Sequence, residues 1–165
     1  MGSADKHDLL REGIITGFIG AFVVAGWFLV TDLAQGRPFS APSVLGQVIL
    51  YRITDPVVGS PVWGATIAYT LLHFGAFAVF GIAATWMIHL AMTSPLARFG
   101  LMIMAVVFEL FFIMMTYAVF TGTSFLFPWW SVLVANTLSL LAMSYALLRR
   151  HPGLKQQFQR EPLGA

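Results

Sequence analysis

The stretch GIITGFIGAFVVAGWFLV, Gly13 to Val30, decides the fold. It contains no charged side chain and is about 18 residues long, enough to cross the hydrocarbon core of a bilayer as one helix. In lipid a helix closes its own backbone hydrogen bonds, which makes it the economical way to cross. A secretory signal core is the competing reading. It is disfavoured because the flank mixes Asp5, Asp8 and Glu12 with Lys6 and Arg11, and no small-x-small cleavage pattern follows. The span runs on to about Ala34.

Three more apolar spans lie downstream, at about 62–92, 99–120 and 129–148. The second is long for one crossing and predicts a tilted helix. Ser94-Pro95 breaks the chain before the third, and Phe127-Pro128 before the fourth. Arg149-Arg150 and Pro152-Gly153 close the last. The whole chain of 165 residues is 58% hydrophobic and 10% charged, with a mean hydropathy of +0.81. Soluble domains carry about a quarter charged residues, so a water-soluble globule, a disordered chain and a disulfide scaffold are excluded. With no cysteine at all, thiolate catalysis, zinc–thiolate sites and iron–sulfur clusters are excluded as well. The expected fold is all-α: an integral membrane four-helix bundle of one domain (13–150), preceded by a short segment (1–12) and followed by a polar tail (151–165).

The connection between spans one and two, Gln35 to Pro61, is turn-rich at both ends. In its middle, Val44, Leu45, Val48 and Ile49 recur at helical spacing, with Ser43, Gln47 and Arg52 on the other side. Pro42 suits a first helical turn and Ser40 a cap. Residues 42–53 are therefore read as a short helix. Its rise of about 18 Å is too small to cross, so it is expected to lie in the interface of the first external loop, or to be partly re-entrant and covered by protein.

Orientation follows from the basic residues. Four crossings put both termini and the 93–98 loop on one side, with Lys6, Arg11, Arg98, Arg149, Arg150, Lys155 and Arg160; Arg37 and Arg52 alone fall on the other. Lys and Arg concentrate on the cytoplasmic side, so both termini are expected in the cytoplasm, and a bacterial inner membrane is the expected location. Trp27, Trp63, Trp129 and Trp130 gather at the outer boundary, where indole rings sit well. The pI of 9.3 is then a topology signal, and no nucleic-acid partner is expected. The expected partners are the lipid bilayer and either other membrane subunits or further copies of the chain.

Lipid supplies no hydrophobic drive between helices, so small residues that let backbones approach matter. Gly13, Gly17, Ala21 and Ala25 recur at four-residue steps and share one face of span one. They predict packing within the bundle, with a dimer face as the alternative.

Glu109 is the most informative residue. It lies near the centre of span three, where an acid costs several kcal/mol and should face protein rather than lipid. His73, with Tyr69 four residues before it, and Asn136 are the other polar groups near mid-span. His73 and Glu109 fall at similar depths, though each side chain leans toward its own helix N-terminus. Together Glu109, His73, Asn136 and Tyr69 are candidates for a proton- or cation-handling site, or for a polar cluster that fixes helix register. Asp32 and Asp55 are read as interfacial salt links or solvated loop charges, His89 as reaching headgroups, and His7 and His151 as solvated.

The placement of the histidines limits cofactor chemistry. A bis-histidine haem needs ligands on two facing helices, whereas His73 and His89 share one, about 24 Å apart by rise. His73 or His89 remains a possible single ligand to a pigment or haem in a larger assembly. Di-iron bundle sites need Glu-x-x-His pairs, and HExxH, GxSxG and P-loop patterns are missing. No cofactor is required by the sequence, and no residues carry a family resemblance. The leading expectation is a non-catalytic accessory or scaffolding subunit of a larger membrane complex, or a homo-oligomer. A small proton- or cation-linked transporter or channel using Glu109, His73 and Asn136 is second, and a pigment- or haem-holding subunit third.

Overall fold

The computed structural model describes residues 3–119 and 127–153. The expected tail beyond Gly153, the end of span three at 120 and the connection that follows it lie outside the described residues. The rest is all-helical: α1 (Ser3–Ala34), α2 (Ser40–Ile49), α3 (Trp63–Ala91), α4 (Pro95–Val119) and α5 (Trp129–Arg150). All but α2 are long and apolar enough to cross a membrane. Among the described residues there is no strand.

The long helices close a ring in which α1 packs on α3, α3 on α4, α4 on α5 and α5 back on α1; α2 lies mainly over α3. The first boundary follows from proline chemistry, since Pro95 opens α4, where a missing amide hydrogen costs nothing. Pro128 stands just before α5 in an extended conformation. The turn between α3 and α4 is closed by buried Arg98, whose Nε donates to the Ala91 carbonyl at 3.1 Å, one of the carbonyls a helix end leaves unpaired.

Gly13 and Gly17 of α1 lie against the backbone of α3. A Cβ on Gly17 would stand 2.1 Å from the Phe77 carbonyl oxygen, and one on Gly81 2.2 Å from that of Gly13. Only glycine permits this α1–α3 crossing. Ala21, one turn on, is fully buried, whereas Ala25 is exposed. Around the crossing, Ala21, Val24, Phe77, Phe108, Ala135 and Met143 form the main core. Ala84, Ile88, Ala91, Ala97 and Leu147 form a second core toward the end that holds the α3–α4 turn.

Both sides of α2 are covered: Val44 is fully buried, and Ser43 and Gln47 on the polar side are each 1% exposed. The loop that follows has backbone groups to satisfy, and these two side chains do it. Gln47 Oε1 accepts from the Val57 amide at 2.9 Å and its Nε2 donates to the Val57 carbonyl at 3.2 Å. Ser43 Oγ accepts from the Val62 amide, just ahead of α3, at 2.9 Å. Buried polar groups are tolerated when they find such partners. Gly46 lets the two backbones meet, since a Cβ there would lie 2.1 Å from the Ala65 carbonyl oxygen. The cap differs from its sequence reading. Ser40 is inside the helix, and Phe39, at the N-cap with φ 62°, offers no acceptor. Asp32 substitutes from the end of α1, its Oδ2 accepting from the Ala41 amide at 2.7 Å. It is 6% exposed, neither solvated nor joined to Arg37 in a side-chain ion pair among the described residues.

Candidate functional site

Glu109 sits on α4 where that helix meets α5. By a rise of 1.5 Å per residue it lies about 20 Å from the α4 N-terminus, and Thr137 lies at a matching depth on the antiparallel α5. Thr137 Oγ1 donates to Glu109 Oε1 at 3.1 Å. The second carboxyl oxygen and the amide nitrogen of Asn136 are both buried, and Asn136 stands beside the carboxyl as a side-chain donor. Thr137 is itself exposed on the outside of the bundle, and Glu109 is half-buried. The carboxyl thus lies in the α4–α5 seam, close to the outer face. That face is otherwise apolar, with Val106, Leu110, Leu138 and Leu141 exposed. α4 is the least buried of the four spans.

His73 belongs to another part of the molecule. Its Nε2 lies 3.2 Å from the Ala21 carbonyl oxygen on α1. A carbonyl can only accept, so the neutral ring carries its proton on Nε2, leaving Nδ1 as the acceptor. Tyr69 stacks on the imidazole, ring centres 5.9 Å apart. Both line a cavity of about 310 Å³ between α1, α2 and α3, walled by Phe22, Phe28 and Phe74, with Asp32 and Thr70 as further polar groups. Ala25 also lines this cavity. Between His73 and Glu109 stand aromatic rings. Phe77 lies 4.8 Å from His73 and 6.0 Å from Phe108. Among the described residues no hydrogen bond or ion pair joins His73 to Glu109. The structure therefore brings Asn136 to Glu109 and Tyr69 to His73, and keeps the two pairs on different helix seams.

A third cluster was missed in the sequence. Glu12 of α1 takes His151 at the C-cap of α5, with Oε1 and Nε2 2.9 Å apart. His89, in the last turn of α3, places Nε2 3.7 Å from the other carboxyl oxygen. The two imidazoles meet edge to face, ring centres 5.0 Å apart. His151 is not solvated as its terminal position suggested: its side chain and that of Glu12 are each 14% exposed. The available signal was topological. Four antiparallel crossings place positions 12, 89 and 151 at one end of the bundle, but nothing local indicates that these side chains converge.

No family model, curated protein or solved structure matches the chain, so its function must be argued from these three places.

Proposed function

We propose that the protein is a non-catalytic accessory or scaffolding subunit of a larger membrane assembly, heteromeric or homo-oligomeric, which docks through the α4–α5 face. The observation that carries this reading is the Glu109–Thr137 pair at the bundle surface, near mid-span. Polar side chains within a membrane span face protein or water rather than acyl chains. Here the acid and its exposed Thr137 partner lie where the α4–α5 seam reaches the surface, and the surrounding face is apolar. A neighbouring helix supplies what lipid does not: a polar partner at the exposed Thr137 hydroxyl beside the acid, and bulk to cover Val106 and Leu110. The same reading puts the four long helices across a bacterial inner membrane with both termini in the cytoplasm, supported by the distribution of Lys and Arg. α2 then lies at the outer surface, covering the α3 N-terminus.

The natural chain has no cysteine, so single cysteines report neighbours cleanly. Val106→Cys and Leu110→Cys on α4 should cross-link in native membranes to one specific partner or to a second copy. Phe22→Cys on α1 should not. An interhelical hydrogen bond in a membrane is worth about 0.6 to 1.7 kcal/mol. Glu109→Leu should therefore weaken the assembly about 3- to 20-fold, with Glu109→Gln closer to the natural protein. Cross-linking equal at α1 and α4, or an assembly indifferent to Glu109→Leu, refutes the proposal. Ion flux through the lone protein in liposomes, abolished by Glu109→Gln, would establish the transport reading instead.

A further inference from the structure

We propose that Glu12, His89 and His151 form a binding site for a borderline divalent metal ion of the zinc class, tying together the ends of α1, α3 and α5. The donor set is two imidazole nitrogens and one carboxylate, the combination that zinc accepts with a fourth position left to water. One ligand atom from each residue falls within 4.8 Å of the other two. Zinc–ligand bonds of about 2.0 to 2.2 Å at tetrahedral angles put ligand atoms about 3.3 to 3.6 Å apart. The separations of 2.9 and 3.7 Å run to the two different oxygens of the carboxylate, and all three ligand atoms lie within 4.8 Å of one another, so side-chain movements of about 1 Å bring them onto one ion. The three side chains are carried by three separate helices of the ring. Two of them, Glu12 and His151, are largely shielded from water.

There is also room for the fourth ligand. Beside Glu12 and His151 opens a cavity of about 400 Å³, lined further by Asp8, Arg11, Ile15 and Arg150. The two arginines oppose a cation, but Asp8, Arg11 and Arg150 are all exposed, so water and salt screen their charges. Imidazole and carboxylate donors without thiolate favour zinc, nickel or copper over magnesium and calcium, which prefer oxygen alone. Because a bound ion binds only the folded arrangement, it stabilises the bundle. The site is independent of the α4–α5 docking face and stands or falls without it.

The test uses the full chain, untagged, in mild detergent and stripped with a chelator. Cobalt(II) titration should give visible d–d bands that saturate at one equivalent and disappear on adding zinc, and zinc should raise the thermal midpoint. Loss of an outer-sphere partner alone costs about 10- to 100-fold in metal affinity, so removing a direct ligand by His89→Gln, His151→Gln or Glu12→Gln should cost at least about 100-fold. His7→Gln should change nothing. His89 is exposed and makes the longer contact, so His89→Gln is expected to keep its helical circular dichroism and elution volume, which separates lost binding from lost folding. A natural chain that takes up no stoichiometric cobalt or zinc overturns the proposal. So does uptake that survives His89→Gln and His151→Gln, or that disappears only with His7→Gln. The cluster would then be a hydrogen-bonded cap of histidines on Glu12.

Discussion

Replacing Gly81 by alanine tests the packing at its tightest point. A Cβ there would lie 2.2 Å from the Gly13 carbonyl oxygen, 2.4 Å from the Gly17 nitrogen and 2.7 Å from the Gly17 Cα. Ordinary contacts begin near 3.4 Å, so α1 and α3 must part by roughly 1 Å at the crossing. Every obstructing atom is backbone, and no rotamer change can make space. Overpacking typically costs about 1 to 3 kcal/mol, and a site walled by main chain belongs at the upper end, about 3 kcal/mol. Alanine also gains about 1 kcal/mol over glycine in a helix interior. That gain is common to Gly75→Ala, where a Cβ meets nothing within 4 Å, and cancels in the comparison. Gly81→Ala should therefore unfold about 3 kcal/mol more easily than Gly75→Ala. The measurement is unfolding in mixed micelles of rising SDS fraction, followed by circular dichroism and tryptophan fluorescence. If the two variants agree within about 0.5 kcal/mol, helices α1 and α3 do not meet through these glycines, and the small-residue stripe is free for another use.

Two further substitutions probe the buried polar groups. Gln47→Leu removes both bonds to Val57, and because Val57 is itself 52% exposed its backbone can rehydrate; the cost should be about 2 kcal/mol, read as faster proteolysis within residues 50–61 and a lower thermal midpoint. Thr85 is fully buried and its hydroxyl has no hydrogen-bond partner, so Thr85→Val, which keeps the shape, should be neutral or stabilise by up to about 1 kcal/mol, and a clear loss of stability would mean that the hydroxyl is bonded in the membrane.

The long helices were legible because each depends on a local property: an uninterrupted apolar run of bilayer length with Pro or Gly at its ends. α2 was legible as a helix from its own periodicity, but the partners of its polar side were not. Only the fold shows that the following loop presents backbone amides and carbonyls that the side chains of Ser43 and Gln47 satisfy. Asp32 is a similar case, since its partner, the Ala41 amide, exists only once Phe39 has left α2 without a side-chain cap.

Glu109 stood out in the sequence because the cost of an acid in an apolar run can be judged from that run alone. That it faces α5 and lies at the outer edge of the seam is a matter of helix rotation, which residue spacing within one span does not fix. The stripe Gly13, Gly17, Ala21 and Ala25 announced close approach by the absence of side-chain bulk, while the identity of the opposing surface, Gly81 and the Phe77 backbone, required the packed pair. Glu12 and His151 are 139 positions apart. Their meeting comes from ring closure of α1 on α5, a contact between the first and last helices. Local apolar length thus settled the four long helices among the described residues, and tertiary packing alone decided which polar atoms meet, because hydrogen-bond and ligand geometry depend on ångström-scale positions that no single segment contains.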